Sequence, residues 1–178
     1  DEVEIEIRHS TKNYAVGEVT QLIKPSPFRV SSPCPDFPEC GGCQILDMAY
    51  QAQLDWKKQH LIQTLQRIGQ ITADVEDVIG MEHPYHYRNK MSYPVDPTKI
   101  GLYQRGSHDI VAITDCQVHP QGVDRVLTVV RQHLNKTITG YDEATHRGGL
   151  RHVMVRYGFD RQEIGSSVLE TSSTMAMA

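Results

Sequence analysis

The stretch Cys34-Pro35-Asp36-Phe37-Pro38-Glu39-Cys40-Gly41-Gly42-Cys43 decides how the rest of this 178-residue chain is read. Three of the four cysteines fall inside these ten residues, spaced C-x5-C-x2-C, and the fourth, Cys116, stands far downstream in Thr114-Asp115-Cys116-Gln117. Pro35 and Pro38 restrict the backbone, while Gly41 and Gly42 let it fold back so that three sulfurs can face one centre. Uncovered glycine N–H groups can also donate to thiolate or sulfide sulfur. Four thiols in a three-plus-one pattern are the arithmetic of a four-ligand metal site. A disulfide pair fits poorly, because these residues show no apolar signal segment and a domain of this length does not need stapling. A redox pair at Cys40 and Cys43 leaves Cys34 and Cys116 unexplained. Four thiolates suit tetrahedral zinc, although structural zinc sites usually draw on two short pairs. One wide loop plus a remote ligand is the pattern of many iron–sulfur centres. Spacing alone leaves zinc and a cluster as equal readings.

Outward from the loop, the composition is that of a globular protein: 39% hydrophobic, 22% charged and a net charge of −4. No apolar run is long enough to span a bilayer, so no membrane partner is expected. The negative balance carries no global signal for nucleic acid, so any RNA contact has to come from local patches. The chain opens in a strand without an initiator methionine and reads as a trimmed fragment.

Upstream, Val3-Glu4-Ile5-Glu6-Ile7-Arg8 alternates as a half-buried strand does, and Ala15 to Ile23 reads as its hairpin partner. Two strands cannot bury a face by themselves, so this segment is expected to pack on a further element or to belong to a small barrel. Downstream, Asp47 is placed to cap a helix reaching about Ile68, with Gly69 ending it. Leu54, Leu61, Ile62, Leu65 and Ile68 recur at helical spacing and predict its core face. Lys57, Lys58 and Arg67 form either a solvated face or a phosphate-facing stripe.

Strands are predicted at 75–79, 87–95, 100–103 and 110–113. Alternation places Arg88, Lys90 and Ser92 on one face and Tyr87, Asn89, Met91 and Tyr93 on the other. Tyr103-Gln104-Arg105-Gly106-Ser107 reads as a basic hairpin turn. Basic residues interleaved with rings suit RNA, where rings stack on bases and cations meet phosphate; the plain alternative is a sheet with one wet face. A second helix is predicted from about Pro120 to Leu134, with Val123, Val126, Leu127, Val130 and Leu134 facing the core. Leu150 to Tyr157 is predicted as a strand mixing apolar and basic residues. The nine histidines show no ligand spacing. From Gly165 the chain turns rich in Ser, Thr and Met and reads as a flexible tail.

Taken together, several stretches resemble the RNA (uracil-C5) methyltransferases of the RumA/TrmA type, especially those acting on 23S ribosomal RNA. The likeness rests on Cys34-x5-Cys40-Gly41-Gly42-Cys43-Gln44, Gln53-Leu54-Asp55-Trp56-Lys57 and Tyr87-Arg88-Asn89-Lys90. It continues through Ile100-Gly101-Leu102-Tyr103, Ser107-His108-Asp109-Ile110-Val111, Asp115-Cys116 and Gly149-Leu150-Arg151-His152-Val153. The resemblance implies a [4Fe-4S] cluster on Cys34, Cys40, Cys43 and Cys116. It also implies that residues 1–33 are the end of a TRAM domain, an OB-like barrel of which only a remnant is present. Residues 34–160 are then the iron–sulfur central domain, and 161–178 a tail. The expected fold class is α+β, an antiparallel sheet with two main helices beside the barrel remnant, and the Rossmann-like catalytic domain is absent.

In that family S-adenosylmethionine binds the missing domain, which also supplies a cysteine nucleophile. The thiolate is needed because uracil C5 attacks poorly until a nucleophile adds at C6. By this resemblance the chain is the RNA-recognition and cluster portion of a cytoplasmic enzyme acting on ribosomal RNA or another structured RNA, and is inactive alone. Arg88, Lys90, Tyr103, Arg105 and Arg151 are the expected RNA contacts. The reading from a different class is a stand-alone module, zinc- or cluster-stabilised, that binds RNA or carries electrons.

Overall fold

The computed structural model describes residues 1–160 and 163–170. It divides into two compact units, one of residues 1–32 and 47–79, the other of residues 33–46 and 80 onward. The helix expected in the central domain therefore groups with the N-terminal hairpin and not with the cysteine loop.

In the first unit, β1 (Glu2–Ser10) and β2 (Ala15–Lys24) pair antiparallel, with register shifts that mark bulges. The alternation in β1 predicts a strand correctly and a burial pattern incorrectly. Every residue of both strands is exposed, Ile5 and Ile7 about half so. A lone two-stranded ribbon has no second layer to cover either face. Helix α1 (Tyr50–Arg67) likewise forms where periodicity places it, yet Leu54 is its one buried residue and Ile68 just beyond it is 81% exposed. Asp47 does not cap it. The N-cap position is Ala49, and the Asp47 carboxylate instead accepts from the Arg29 guanidinium at 2.6 Å. Asp1 grips the same guanidinium, tying the start of the hairpin to its end. Lys58 donates to Asp77 at 2.8 Å, as a solvated helix face would. No strand forms over residues 75–79, where three exposed or half-exposed apolar residues have no partner strand in register.

The second unit is built on a three-stranded antiparallel sheet ordered β3 (Lys90–Pro94), β6 (Leu150–Gly158), β7 (Glu163–Glu170). A separate ribbon joins β4 (Leu102–Tyr103) to β5 (Ile110–Val111), and α2 (Val123–His133) completes the unit. Residues 163–170, read from the sequence as part of the tail, pair with β6 along its whole length. A polar Ser- and Gly-containing segment gains this structure because a neighbouring strand offers it hydrogen bonds, which local composition does not record. The remaining tail residues, 161–162 and 171–178, lie outside the described residues.

Alternation in β3 holds as expected: Met91 and Tyr93 are buried while Lys90 and Ser92 face solvent. Val153 and Val155 cover the same inner side from β6, and Val123 and Leu127 of α2 join them, Ile113 and Val118 in one buried cluster. Val126 and Val130 pack at the margin, so the predicted apolar stripe is the real one. Leu127 is fully buried. Leu127→Ala removes its packing from the buried cluster and is expected to cost about 2–5 kcal/mol. A urea denaturation midpoint within error of the parent chain would show that this core is more loosely packed than described.

Candidate functional site

The ten-residue cysteine stretch is organised by its own turns before it meets the rest of the unit. The Phe37 N–H donates to the Cys34 carbonyl at 3.3 Å, and the Cys40 N–H to the Asp36 carbonyl at 2.8 Å. The loop then docks on the β4–β5 ribbon. Cys40 bridges Gln104, and the Gly41 N–H donates to the Tyr103 carbonyl at 2.9 Å. A Cβ on Gly41 would lie 2.9 Å from that same oxygen, so this close backbone approach requires glycine. From the far side, the Thr114 N–H donates to the Asp36 carboxylate at 3.3 Å, joining the loop to the segment that carries Cys116.

The result brings all four cysteines, separated by up to 82 positions in sequence, onto one pocket. Phe37, Leu102, Ile113 and Val118 supply its apolar walls, and the cavity left between them is small, about 10 Å³. None of the four is joined in a disulfide; Cys40 and Cys116 are buried, Cys34 and Cys43 half-buried. Gly42 donates its N–H to the Cys40 sulfur at 3.4 Å. The Cys116 sulfur accepts from the backbone N–H groups of Val118 and His119. Burial pushes the thiols of Cys40, Cys43 and Cys116 up from their ordinary range, and the neighbouring sulfurs add to the effect. The N–H donors oppose it at Cys40 and Cys116. Four thiolates cannot share an apolar pocket on their own, but a cation reverses that balance. Among the described residues no three or more His, Cys, Asp or Glu side chains converge closely enough for a single metal ion.

Behind Cys116 lies a polar group that sequence reading missed. His119 is 1% exposed. Its Nδ1 is hydrogen-bonded to the Tyr93 hydroxyl, and its Nε2 lies 3.2 Å from the Asp124 carboxylate without the alignment of a hydrogen bond. Burial holds the imidazole below the usual histidine range, partly countered by Asp124. Burial also pushes the Tyr93 hydroxyl up, so both groups stay neutral near pH 7. These side chains anchor the turn whose N–H groups reach Cys116. The only trace in the sequence is a histidine just ahead of a helix start.

The five expected RNA contacts do not form one site. Tyr103 and Arg151 line a cleft of about 690 Å³, where Tyr103 leans on His108 at 5.4 Å between ring centres. Arg151 lies 4.8 Å over the Tyr141 ring and donates to Glu143 at 2.7 Å, so its charge is already met. Glu39, Asp96, Asp109 and Asp142 line the same cleft, leaving it acidic. Arg105 stands exposed at the β4–β5 turn. The Arg88 guanidinium approaches the Met91 sulfur at 3.7 Å and favours the charged form of Cys43. Lys90 faces outward on β3, and opposite it in register is Arg156, which sequence reading did not single out.

No protein-family profile matches the chain. It is 40% identical over 169 residues to an uncharacterized RNA methyltransferase of Clostridium tetani, covering 92% of this chain and 37% of that protein. It is 44% identical over 159 residues to one of Halalkalibacterium halodurans, covering 86% and 35%. In fold it matches the crystal structure of Pyrococcus abyssi tRNA (uracil-54, C5)-methyltransferase in complex with S-adenosyl-L-homocysteine. That match has a TM-score of 0.67 at 19% identity, over 97% of this chain and 39% of that one. The chain spans little more than a third of the length of the curated relatives it matches. By sequence over most of its length, and by fold over nearly all of it, this chain is similar to one segment of RNA methyltransferases.

Proposed function

We propose that this chain is the cluster-bearing, RNA-recognition segment of an S-adenosylmethionine-dependent RNA (uracil-C5) methyltransferase. Its substrate is a folded RNA such as 23S ribosomal RNA, met in the cytoplasm, where thiols stay reduced. The observation that carries the reading is the meeting of Cys34, Cys40, Cys43 and Cys116 on one apolar pocket. The donor chemistry fits a [4Fe-4S] cluster: four cysteines line one apolar pocket, with N–H groups already aimed at two of the sulfurs. Bound by Cys34, Cys40, Cys43 and Cys116, a cluster would supply iron that offsets part of the charge of the buried thiolates.

The residues of the chain do the remainder. Gly41 and Asp36 hold the loop against the β4–β5 ribbon and the Thr114 backbone. His119, Tyr93 and Asp124 fix the turn behind Cys116. Leu102 and Ile113 supply apolar wall beside the sulfurs. All four cysteines of the chain are committed to this pocket, so none is left to add to uracil C6. Alone, the chain holds RNA and does not methylate it.

The test is a visible spectrum with iron, sulfide and zinc analysis on anaerobically purified full chain. Brown protein with about four iron and four sulfide per chain is expected. Colourless protein with one zinc, or protein that takes up no iron and sulfide on reconstitution, overturns the reading.

A further inference from the structure

We infer that the outer face of the β3–β6 pair, centred on Lys90 and Arg156, is the surface that binds the phosphates of a single RNA strand. The inference deepens the function proposed above and rests on it. In the antiparallel register Lys90 lies directly opposite Arg156, and both are exposed. Like charges directly opposite one another destabilise a sheet, and an anion lying across them removes that penalty. Among the described residues no carboxylate is in ion-pair distance of either cation. Glu163 is the diagonal neighbour of Arg156 on β7 and makes no ion pair with it. Arg151, by contrast, is neutralised by Glu143 in an acidic cleft, which a phosphate would avoid.

The surroundings suit a strand of nucleic acid. Gly165, opposite Arg156 on β7, and Ser92, two residues along from Lys90, are small, so a sugar–phosphate chain can lie close to the sheet. The inner face of the same strands is buried through Met91, Val153 and Val155, so the two cations stand on a fixed platform. Just past the end of β6, Phe159 is half exposed and packs edge to face with Tyr157 at 5.1 Å between ring centres. Phe159 leaves half of its surface open at the end of the strand, where an unpaired base can stack and the bases of a duplex cannot.

The experiment uses the full chain and a fluorescein-labelled, unstructured 12-nucleotide RNA, with anisotropy read from 50 to 300 mM KCl. Lys90→Ala and Arg156→Ala are each expected to weaken binding about fivefold at 100 mM salt. Each should also lower the slope of log affinity against log salt by about 0.7, one phosphate contact on a single strand. Arg156→Lys should keep the slope, and Arg151→Ala should leave it unchanged. Without RNA, Lys90→Gln should raise the melting temperature by about 1–2 °C at low salt, a gain lost at 0.5 M KCl as repulsion is screened. Tight binding by the parent chain with slopes unmoved by Lys90→Ala and Arg156→Ala overturns this surface and leaves the RNA reading standing. No RNA binding by the parent chain at 50 mM salt overturns both. Equal affinity for the same sequence as duplex overturns the single-strand assignment.

Discussion

Cys116→Ser is expected to bring iron and sulfide content close to zero and to lower the melting temperature of the anaerobically purified chain by roughly 10 °C. The substitution is nearly isosteric, so little of that loss comes from packing. It comes from undoing a link between Cys116 and a loop ending 73 positions earlier. Closing a chain segment of that length restricts the unfolded ensemble by an amount on the order of 4 kcal/mol in the loop-entropy account. A centre of the proposed kind forms only in the folded chain, so its binding energy is also folding energy. At about 2–4 °C per kcal/mol for a chain of this size, the shift is large enough to read from one melting curve. The control is the parent chain stripped of metal by chelator and oxidant. If serine and parent melt together when both are stripped, the loss belongs to the centre and not to the buried side chain. Unchanged iron content in Cys116→Ser would sink the four-cysteine assignment.

Gly101→Ala tests the same site from a position that carries no ligand. An added methyl carbon at residue 101 would stand 1.8 Å from the Val111 carbonyl oxygen and 3.0 Å from the Ala112 Cα. Both contacts are backbone, so no rotamer change relieves them, and the β4–β5 ribbon must part. That ribbon pairs Leu102 with Val111 and Tyr103 with Ile110, Leu102 lines the cysteine pocket, and Tyr103 accepts the Gly41 N–H. The expected cost is about 3 kcal/mol or more, at the upper end for overpacking, together with partial loss of iron. Gly149→Ala serves as the comparison, since a Cβ there meets nothing within 4 Å. If Gly101→Ala melts within about 2 °C of the parent and keeps its iron, the ribbon is not what holds the cysteine loop.

Helix α2 and strand β3 were legible because each shows its burial in its own periodicity. Val123 and Leu127 recur one turn apart and are both fully buried, and Met91 and Tyr93 alternate with Lys90 and Ser92 as a half-covered strand must. The same signals in β1 and α1 forecast the element and not its burial. Ile5, Ile7, Leu61 and Ile68 have the right spacing, and all stay exposed. Periodicity states which face is apolar; whether anything covers that face is decided elsewhere in the chain. Asp47 illustrates the limit at a single residue. Its position invites a helix cap, but the nearby Arg29 guanidinium offers a charged partner and takes the carboxylate.

By itself, then, the sequence determined the number and identity of the thiols, the apolar stripe of α2 and the two faces of β3, because each is written in residues close together along the chain. Tertiary structure alone decided that Cys116 meets Cys34, Cys40 and Cys43 across one pocket, and that residues 163–170 become a strand. It also decided that Arg156 stands opposite Lys90 while Arg151 is spent on Glu143. Each of these depends on which distant backbone supplies the next hydrogen bond. Strand register and loop docking are set by pairing across tens of residues, and a one-residue slip would send every one of these side chains to the other face.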